Sequence, residues 1–495
     1  MFDKVLIANR GEIALRVLRT CQEMGLATVA VYSEADAGAP HVQEADQAVL
    51  LGPAEPAASY LNVAAIIAAA QASGAQAIHP GYGFLAENPA LPEACAQAGL
   101  VFIGPPAAVI RTLGSKTAAR RLMQTAGVPV IPGMLAPCMD AAQLAREAEA
   151  LGYPVLLKAR GGGGGKGMRV VESPAELAEA SQTCASEAAK AFGDPALYLE
   201  KCLPSPRHVE FQILADGQGH AVHLCERECS IQRRHQKIIE ETPCPALTTE
   251  LRARMGAAAV AAAQAAGYVN AGTVEFLLDA EGKFYFLEVN TRLQVEHPVT
   301  EMTTGLDLVR LQLMIAAGQP LPFAQDDISP RGHAIECRIY AEDPGKSFLP
   351  SPGLISLWQA PAGPGLRLDS GVREGSAVPM EYDPILAKLV AWAPDREQAR
   401  QRMLRALRGF AVLGVQTIIP FLVDVLAHPE FAAGRTNTDF IARHLAGWQP
   451  SLEQADLARL AYAAAELAMP AAAPVAASGP AGWPSPWQSL GAWRM

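Results

Sequence analysis

The chain has no long apolar run. Its most apolar stretches are Ala-rich and broken, as in Ala257 to Ala266. A membrane-crossing helix needs roughly 20 consecutive apolar residues, so no membrane span is expected. A basic leader is also missing. Met1-Phe2-Asp3-Lys4-Val5-Leu6-Ile7-Ala8 enters an apolar strand at once, which predicts no signal peptide. The nine cysteines are an odd number, scattered through core-like segments. They do not form a disulfide framework, and they predict free thiols in a reducing cytoplasm. Cys225, Cys229 and Cys244 lack the spacing of a zinc knuckle. Excess positive charge is absent too: the net charge of -10 argues against a general nucleic-acid surface. Anionic substrates must therefore meet local basic clusters. After the first strand stands Asn9-Arg10-Gly11-Glu12 rather than a GxGxxG fingerprint. Lys166 is followed by Gly167 rather than Ser or Thr, so the glycine run is not a Walker A loop.

What is present is a long chain of ordinary globular composition. At 495 residues it exceeds one core, and about three domains are expected. The first hundred residues alternate strand (Val5 to Ala8, Thr28 to Tyr32, Ala77 to His79, Val101 to Gly104) and helix (Glu12 to Met24, Val63 to Ala72). This rhythm predicts a parallel sheet covered by helices. Its sites should lie in loops after the strands, at 9–12 and at His79-Pro80-Gly81-Tyr82-Gly83-Phe84. A helix from Ser115 to Ala126 carries Lys116. Beyond it, strands at 154–158, 168–171 and 197–200 surround a glycine run and a long helix near Ala175 to Phe192. A third block, Gly332 to Leu445, mixes strands at 334–340 and 385–392 with a helix over 396–407. Residues Pro470 to Pro486 read as a linker.

The densest chemistry lies between Thr273 and His297. Thr273 to Leu278 and Phe284 to Asn290 are apolar strands joined by the turn Asp279-Ala280-Glu281-Gly282. Side chains on a strand alternate faces, so Glu288 and Asn290 point the same way. If the extended path continues, Arg292, Gln294 and Glu296 follow them. Pairing the two strands brings Glu275 near Glu288. Two carboxylates and an amide oxygen make a hard-oxygen site suited to Mg²⁺ or Mn²⁺. Gly161 to Gly167, bounded tightly by two strands, is expected to be a mobile flap whose backbone amides approach phosphate. Lys158 and Lys116 are placed to meet a nucleotide. Glu226 to Lys237 reads as a cluster that neutralises phosphate charge. Arg338, inside a strand-like run, is equally an ion pair with Glu336, an outward surface residue or a functional cation.

Taken together, these segments resemble the biotin carboxylase family, a branch of the ATP-grasp ligases. The resemblance rests on Ile7 to Ala14, His79 to Asn88, the glycine flap, Glu288 to His297, Arg338 to Pro344 and Tyr382 to Leu389, and it covers about residues 1–446. It implies an α/β fold with a Rossmann-like (pre-ATP-grasp) N-terminal domain over 1–114. An ATP-grasp domain follows over 115–330, with a mobile glycine-rich lid at about 131–203. A C-terminal α+β domain spans 331–446, and a tail spans 447–495.

The resemblance also implies a reaction in which bicarbonate and MgATP (or MnATP) give carboxyphosphate and then carboxylated biotin. Glu275, Glu288 and Asn290 would hold metal. Lys116, Lys158, Gly163, Gly164, Gly165, Lys166, Gly167, His235 and Leu277 would hold ATP, with Glu200, Lys201 and Leu203 at the adenine edge and His208 and Gln232 on the ribose and phosphate side. Arg292, Gln294 and Val295 would bind bicarbonate, Glu296 would be the base, and Lys237 would steady the transferring phosphoryl group. Arg338 would stabilise the biotin enolate, with Tyr82 and Gly83 near the ring.

The same resemblance implies a bacterial, cytoplasmic enzyme. Its partners would be a biotin carboxyl carrier domain or protein and a carboxyltransferase β subunit. A homodimer through the helix carrying Arg19 and Glu23, or a larger α/β assembly, is implied as well. No Ala-Met-Lys-Met sequence occurs. The tail, with Trp483, Trp487 and Trp493, resembles the connection in α chains of acyl-CoA carboxylases of the methylcrotonyl- or geranyl-CoA type, so a truncated α subunit is expected. Another ATP-grasp carboxylate–amine ligase would lack the 79–88 loop and the Arg338 strand. A non-catalytic scaffold would have lost some of Glu275, Glu288, Lys237, Glu296 or Arg338.

Overall fold

The first sheet has five parallel strands in the order Gln47–Gly52, Ala27–Ser33, Lys4–Ile7, Ala77–His79, Val101–Phe102. This is a computed structural model, and it describes residues 2–134, 136–159, 168–234 and 236–450. The expected helices appear at Gly11–Glu23 and Val63–Ser73. Strand order turns back between Lys4–Ile7 and Ala77–His79, and a crevice opens at such a switch point beyond the strand ends. Both predicted site loops leave the sheet there. Asn9 ties them together: its Nδ2 donates to the carbonyls of Pro80 and Tyr82, each at 2.7 Å. Gly81 has φ +63°, and a Cβ there would lie 2.8 Å from Asn9 Nδ2, so only glycine allows this approach.

The second sheet is antiparallel and has eight strands. Their order is Phe284–Asn290, Asn270–Leu278, Arg207–Ala215, Ala221–Arg233, Gln236–Thr242, His333–Tyr340, Ile385–Ala393, Leu366–Ser370. The sheet runs across residue 330 without a break, with Glu240 directly opposite Glu336. This continuity brings Arg338 beside groups that precede it by 40 to 100 residues.

Alternation gives the sheet one apolar and one polar face. Val209, Phe211, Ile213, Val274 and Phe276 pack under the helix Thr249–Ala265, against Met255, Ala259 and Ala262. Each such buried side chain contributes roughly 1.5–3 kcal/mol. The residues between them, His208, Glu210, Gln212, Thr273 and Glu275, therefore point to the opposite face. A shorter sheet, ordered Met168–Val171, Val155–Ala159, Leu197–Lys201, flanks the glycine run. Residues 160–167 lie outside the described residues, as does His235. The described residues through Trp448 form one compact unit. The tail from residue 451, which includes the expected linker and the three tryptophans, is outside the described residues. No helix among the described residues is long and apolar enough to cross a membrane.

Candidate active site

The predicted hairpin forms as read. Asn270–Leu278 pairs with Phe284–Asn290, and Glu275 stands directly opposite Glu288. A β-bulge follows this pair, with Phe276 opposite Phe286, a device that re-aims side chains near sites. On its other side Glu275 stands opposite Glu210, and Glu210 stands opposite Arg227. Three carboxylates and a guanidinium thus occupy successive positions across four strands. Like charges directly opposite are unfavourable, so cations must be close.

Lys237 is the principal one. Its ammonium donates to Glu275 at 2.7 Å, to Glu296 at 2.8 Å and to Glu210. Arg227 is fully buried and bonds Glu210 at 2.6 Å, Gln212 at 2.9 Å, Thr300 at 3.0 Å and Thr273 at 3.1 Å. His208 Nε2 lies 3.0 Å from Glu275, and Gln232 donates to its Nδ1 at 2.9 Å. Burial alone would push Glu275 up, but Lys237 and then His208 outweigh it and hold the carboxyl below the usual range. Glu288 stays open to the solvent of the cleft. Enclosure by the cleft walls, and then the charge on Glu275, push its carboxyl up.

The extended path does not continue past Asn290. The chain leaves the sheet there and enters the helix His297–Thr304 at Glu296. The side chains converge nonetheless. Asn290 and Gln294 donate to Glu275 at 2.8 and 3.1 Å. Arg292 bonds Asn290, Gln294 and, at 2.8 Å, Glu87 of the first domain. The Val295 carbonyl accepts from Lys388 at 2.9 Å. Glu296 has no solvent exposure and is clamped between Lys237 and Arg338, the latter at 2.9 Å. Burial opposes ionisation, but Lys237 and Arg338 hold its carboxyl well below the usual range.

The sheet also places three segments that the sequence singled out. Arg338, open in the sequence among an ion pair with Glu336, an outward position and a functional cation, pairs with Glu240 at 2.6 Å and with Glu296 rather than with Glu336, and it is buried. Its neighbours on the sheet are set by register, which the local sequence does not display. Within Glu226 to Lys237, much of the charge is matched inside the fold: Arg227 on Glu210, Arg252 on Glu226, Arg207 on Glu228 and Arg233 on Glu342. Of the basic groups read there as meeting phosphate, Lys237 faces the site's carboxylates, and His235 lies outside the described residues. Phe284–Asn290, read as an apolar strand, is the sheet's edge, and Phe284, Phe286, Val289 and Asn290 are nonetheless buried. Its outer side is covered at Phe286, whose N–H donates to Pro129.

Beside Glu288 opens a cleft lined by Lys116, Lys158, Glu200, Tyr198, Ile131 and Phe286. Glu200 accepts from Arg120 at 2.8 Å and from Lys158. Burial lowers the Lys116 ammonium, with Glu288 opposing it. The Lys201 side chain turns away from the cleft to the carbonyls of Gly152 and Tyr153, and Leu203 follows in the next loop. Leu277 stands opposite His208 on the polar face. Tyr82 donates to Glu12, and Glu12 lies 3.1 Å from Lys388, which links the Gly81–Gly83 loop to the Val295 carbonyl. Glu210, Glu240, Glu87 and Lys388 were not singled out from the sequence. For Glu210 a signal existed: polar 208, 210 and 212 alternate with apolar 209, 211 and 213.

Comparison with known proteins gives three family matches. They are biotin carboxylase, N-terminal domain (residues 1–110), carbamoyl-phosphate synthase L chain, ATP binding domain (115–324), and biotin carboxylase C-terminal domain (336–443). The chain is 53% identical over 443 residues to biotin carboxylase of Nostoc sp., covering 89% of this chain and 98% of that one. It is 52% identical over 447 residues to a pyruvate carboxylase subunit from Methanothermobacter thermautotrophicus, covering 90% and 91%. It is 51% identical over 442 residues to the alpha chain of mitochondrial methylcrotonoyl-CoA carboxylase from Rattus norvegicus, covering 89% of this chain and 62% of that one. Among solved structures, a biotin carboxylase–β,γ-ATP complex from Campylobacter jejuni aligns with TM-score 0.87 at 47% identity, over 90% and 99% of the two chains. The biotin carboxylase domain dimer of Hydrogenobacter thermophilus 2-oxoglutarate carboxylase, in complex with MgADP, ADP and bicarbonate, aligns with TM-score 0.87 at 46% identity, over 91% and 100%.

Proposed function

We infer the function from this premise: the chain belongs to the biotin carboxylase family. It carboxylates biotin with bicarbonate at the expense of ATP, forming ADP and phosphate. The observation that carries the reading at residue level is Glu296, a buried carboxylate held ionised between Lys237 and Arg338.

Bicarbonate is a weak nucleophile, so it needs orientation and a base. Arg292, Gln294 and the Val295 backbone form the cradle, and Glu296 accepts the bicarbonate proton. While Lys237 rests on Glu296, the carboxylate is ionised but weakly basic. Drawing Lys237 toward the phosphates of a bound nucleotide would relieve that pull and raise the basicity of Glu296. Lys237 would then steady charge on the transferring phosphoryl group. Arg338 faces the developing charge on biotin, beside Tyr82 and Gly83. The nucleotide lies in the cleft of Lys116, Lys158 and Glu200, and by likeness to the family the 163–167 glycines and His235 would hold it too. Closure there shields carboxyphosphate from water.

The pair Glu275–Glu288 fits a divalent cation: two carboxylates face each other, and Glu288 is pushed up by enclosure in the cleft and then by its neighbour's charge. Mg²⁺ bound there would neutralise phosphate charge. Asn290 Oδ1 now accepts from Arg292 at 3.1 Å and would have to turn to join.

The carboxylated biotin belongs to a carrier domain or protein, and a separate carboxyltransferase completes the reaction. An acyl-CoA carboxylase α chain is the assembly we favour, on the likeness of the tail. Relatives of the pyruvate and 2-oxoglutarate types also match over about nine-tenths of the chain, at 52% and 46% identity. A homodimer is proposed by likeness to the Hydrogenobacter domain dimer. The test is ADP release with MgATP and bicarbonate, with and without free biotin. Biotin should stimulate release. Release that ignores biotin but follows some other amine would sink the reading. Labelled bicarbonate supplied to the complete assembly should then mark an acyl-CoA, and labelled oxaloacetate would instead identify a pyruvate carboxylase.

A further inference from the structure

Among the described residues, Glu336 is the only carboxylate whose two oxygens are both buried without a hydrogen-bond partner. It has no solvent exposure. It stands directly opposite Glu240, so the two carboxyl groups share a face. Glu240 Oε1 accepts from Arg338, while its Oε2 is also buried without a donor.

Four charged groups face Glu336 from the elements packed around it. They are Glu240 across the strand pair, Arg338 two residues along its own strand, Lys388 on the diagonal of the next strand, and Glu296 from the turn into the His297–Thr304 helix. Neither cation bonds Glu336. Arg338 bonds Glu240 and Glu296, and Lys388 bonds the Val295 carbonyl and lies 3.1 Å from Glu12. Two negative charges here would face each other in a sealed space with a single guanidinium, Arg338, that Glu240 shares with Glu296.

We infer that Glu336 is a neutral carboxylic acid that shares its proton with Glu240, and that this shared proton is what keeps Arg338 on Glu296. The inference rests on the roles of Arg338 and Glu296 given above. A proton on Glu336, donated to Glu240 Oε2, partners an orphaned oxygen on each side chain. The pair then carries one negative charge, which Arg338 matches. Loss of that proton would put a second negative charge behind Arg338 and draw the guanidinium off Glu296. Burial pushes both carboxyls up, Glu240 to about 7, against the pull of Arg338 and Lys388. One proton over two sites behaves this way. Glu240 and Glu336 are positioning residues; neither is assigned to touch substrate.

The test compares Glu336→Gln with the wild-type chain across pH. Glutamine keeps the shape and the neutral donor, so the biotin-dependent rate at neutral pH should stay within about threefold. The wild type should lose biotin-dependent ADP release on the alkaline side as Arg338 is displaced, and E336Q should not. A misplaced Arg338 costs roughly ten- to a hundredfold. Bicarbonate-dependent ADP release without biotin should fall less, because it does not use Arg338 on the ring. Infrared difference spectra of the two unliganded proteins at neutral pH should show one protonated-carboxyl carbonyl band in the wild type only. The inference is overturned by a tenfold loss in E336Q at neutral pH with nucleotide binding intact. An unchanged alkaline decline in E336Q, or the absence of the acid band from the wild type, overturns it equally. Should E336Q fail to fold, Glu336→Leu removes the same charge, and a retained alkaline decline there contradicts the inference. The infrared band does not depend on turnover. A wild type with the band but no biotin response would therefore fault the functional reading rather than this one.

Discussion

Two pairs of carboxylates face each other on one sheet, and they meet different surroundings. Glu275 and Glu288 lie at the sheet's edge, with Glu288 open to the cleft. Glu240 and Glu336 lie in the interior, with no solvent exposure. Both pairs break the rule that like charges avoid direct opposition. Solvent access decides how each is relieved. The open pair can take a hydrated divalent cation, whereas the sealed pair has only a proton to work with. Glu296 joins the two, reaching the first through Lys237 and the second through Arg338.

The link between the pairs should give the largest effect when broken. Glu296→Ala removes the group that both cations hold, and biotin-dependent ADP release should fall about 10²–10⁴-fold. Nucleotide binding, measured by fluorescence titration, should survive. A variant with normal turnover would refute the base assignment.

The open pair is tested by Glu288→Ala, which leaves Glu275 alone opposite an alanine. The Mg²⁺ concentration needed for half-maximal ADP release should rise roughly 10–100-fold. An unchanged Mg²⁺ dependence would move the metal elsewhere.

A smaller effect contrasts adjacent residues on opposite faces. Glu240 is pushed up to about 7 by burial, and Arg338 only partly offsets this. Glu241 is pulled down to about 2 against burial, by hydrogen bonding to His333 and the charge of Arg396. The folded pKa of Glu241 lies below its unfolded value of about 4.3. Its stabilisation is therefore complete above that value and is lost as pH falls toward 2. The folded pKa of Glu240 lies above its unfolded value, so its contribution is full at acid pH and declines as pH rises to about 7. Glu241→Gln should flatten the acid arm of the calorimetric melting temperature, and Glu240→Gln the arm below neutrality. Each arm is worth on the order of 1–3 kcal/mol. The same residual profile in both variants would deny that the two faces differ.

The contrast also marks what the sequence made legible. Strand alternation with a four-residue turn placed Glu275 opposite Glu288, and loop position placed 9–12 and 79–84 at one crevice. Both follow from rules that act over a few residues. The sealed pair depends on the register between strands nearly a hundred residues apart, and nothing near Glu336 announces Glu240. Arg338 stayed ambiguous for the same reason. Glu296 was named through family likeness; its approach by an extended strand was mistaken, because the chain turns into a helix at that residue. The lid glycines and His235 lie outside the described residues, so their part in the site rests on likeness to the family.

The decisive measurement is a Mg²⁺ titration of biotin-dependent ADP release in three proteins: wild type, Glu288→Gln and Glu336→Gln. Both substitutions remove one carboxylate from a facing pair and keep its shape. A shift of the half-activating Mg²⁺ concentration by at least about tenfold in E288Q, with E336Q superimposed on the wild type at neutral pH, is the predicted result. Equal shifts in the two variants, or a shift in E336Q alone, would contradict the assignment of a cation to the open pair and a proton to the sealed one.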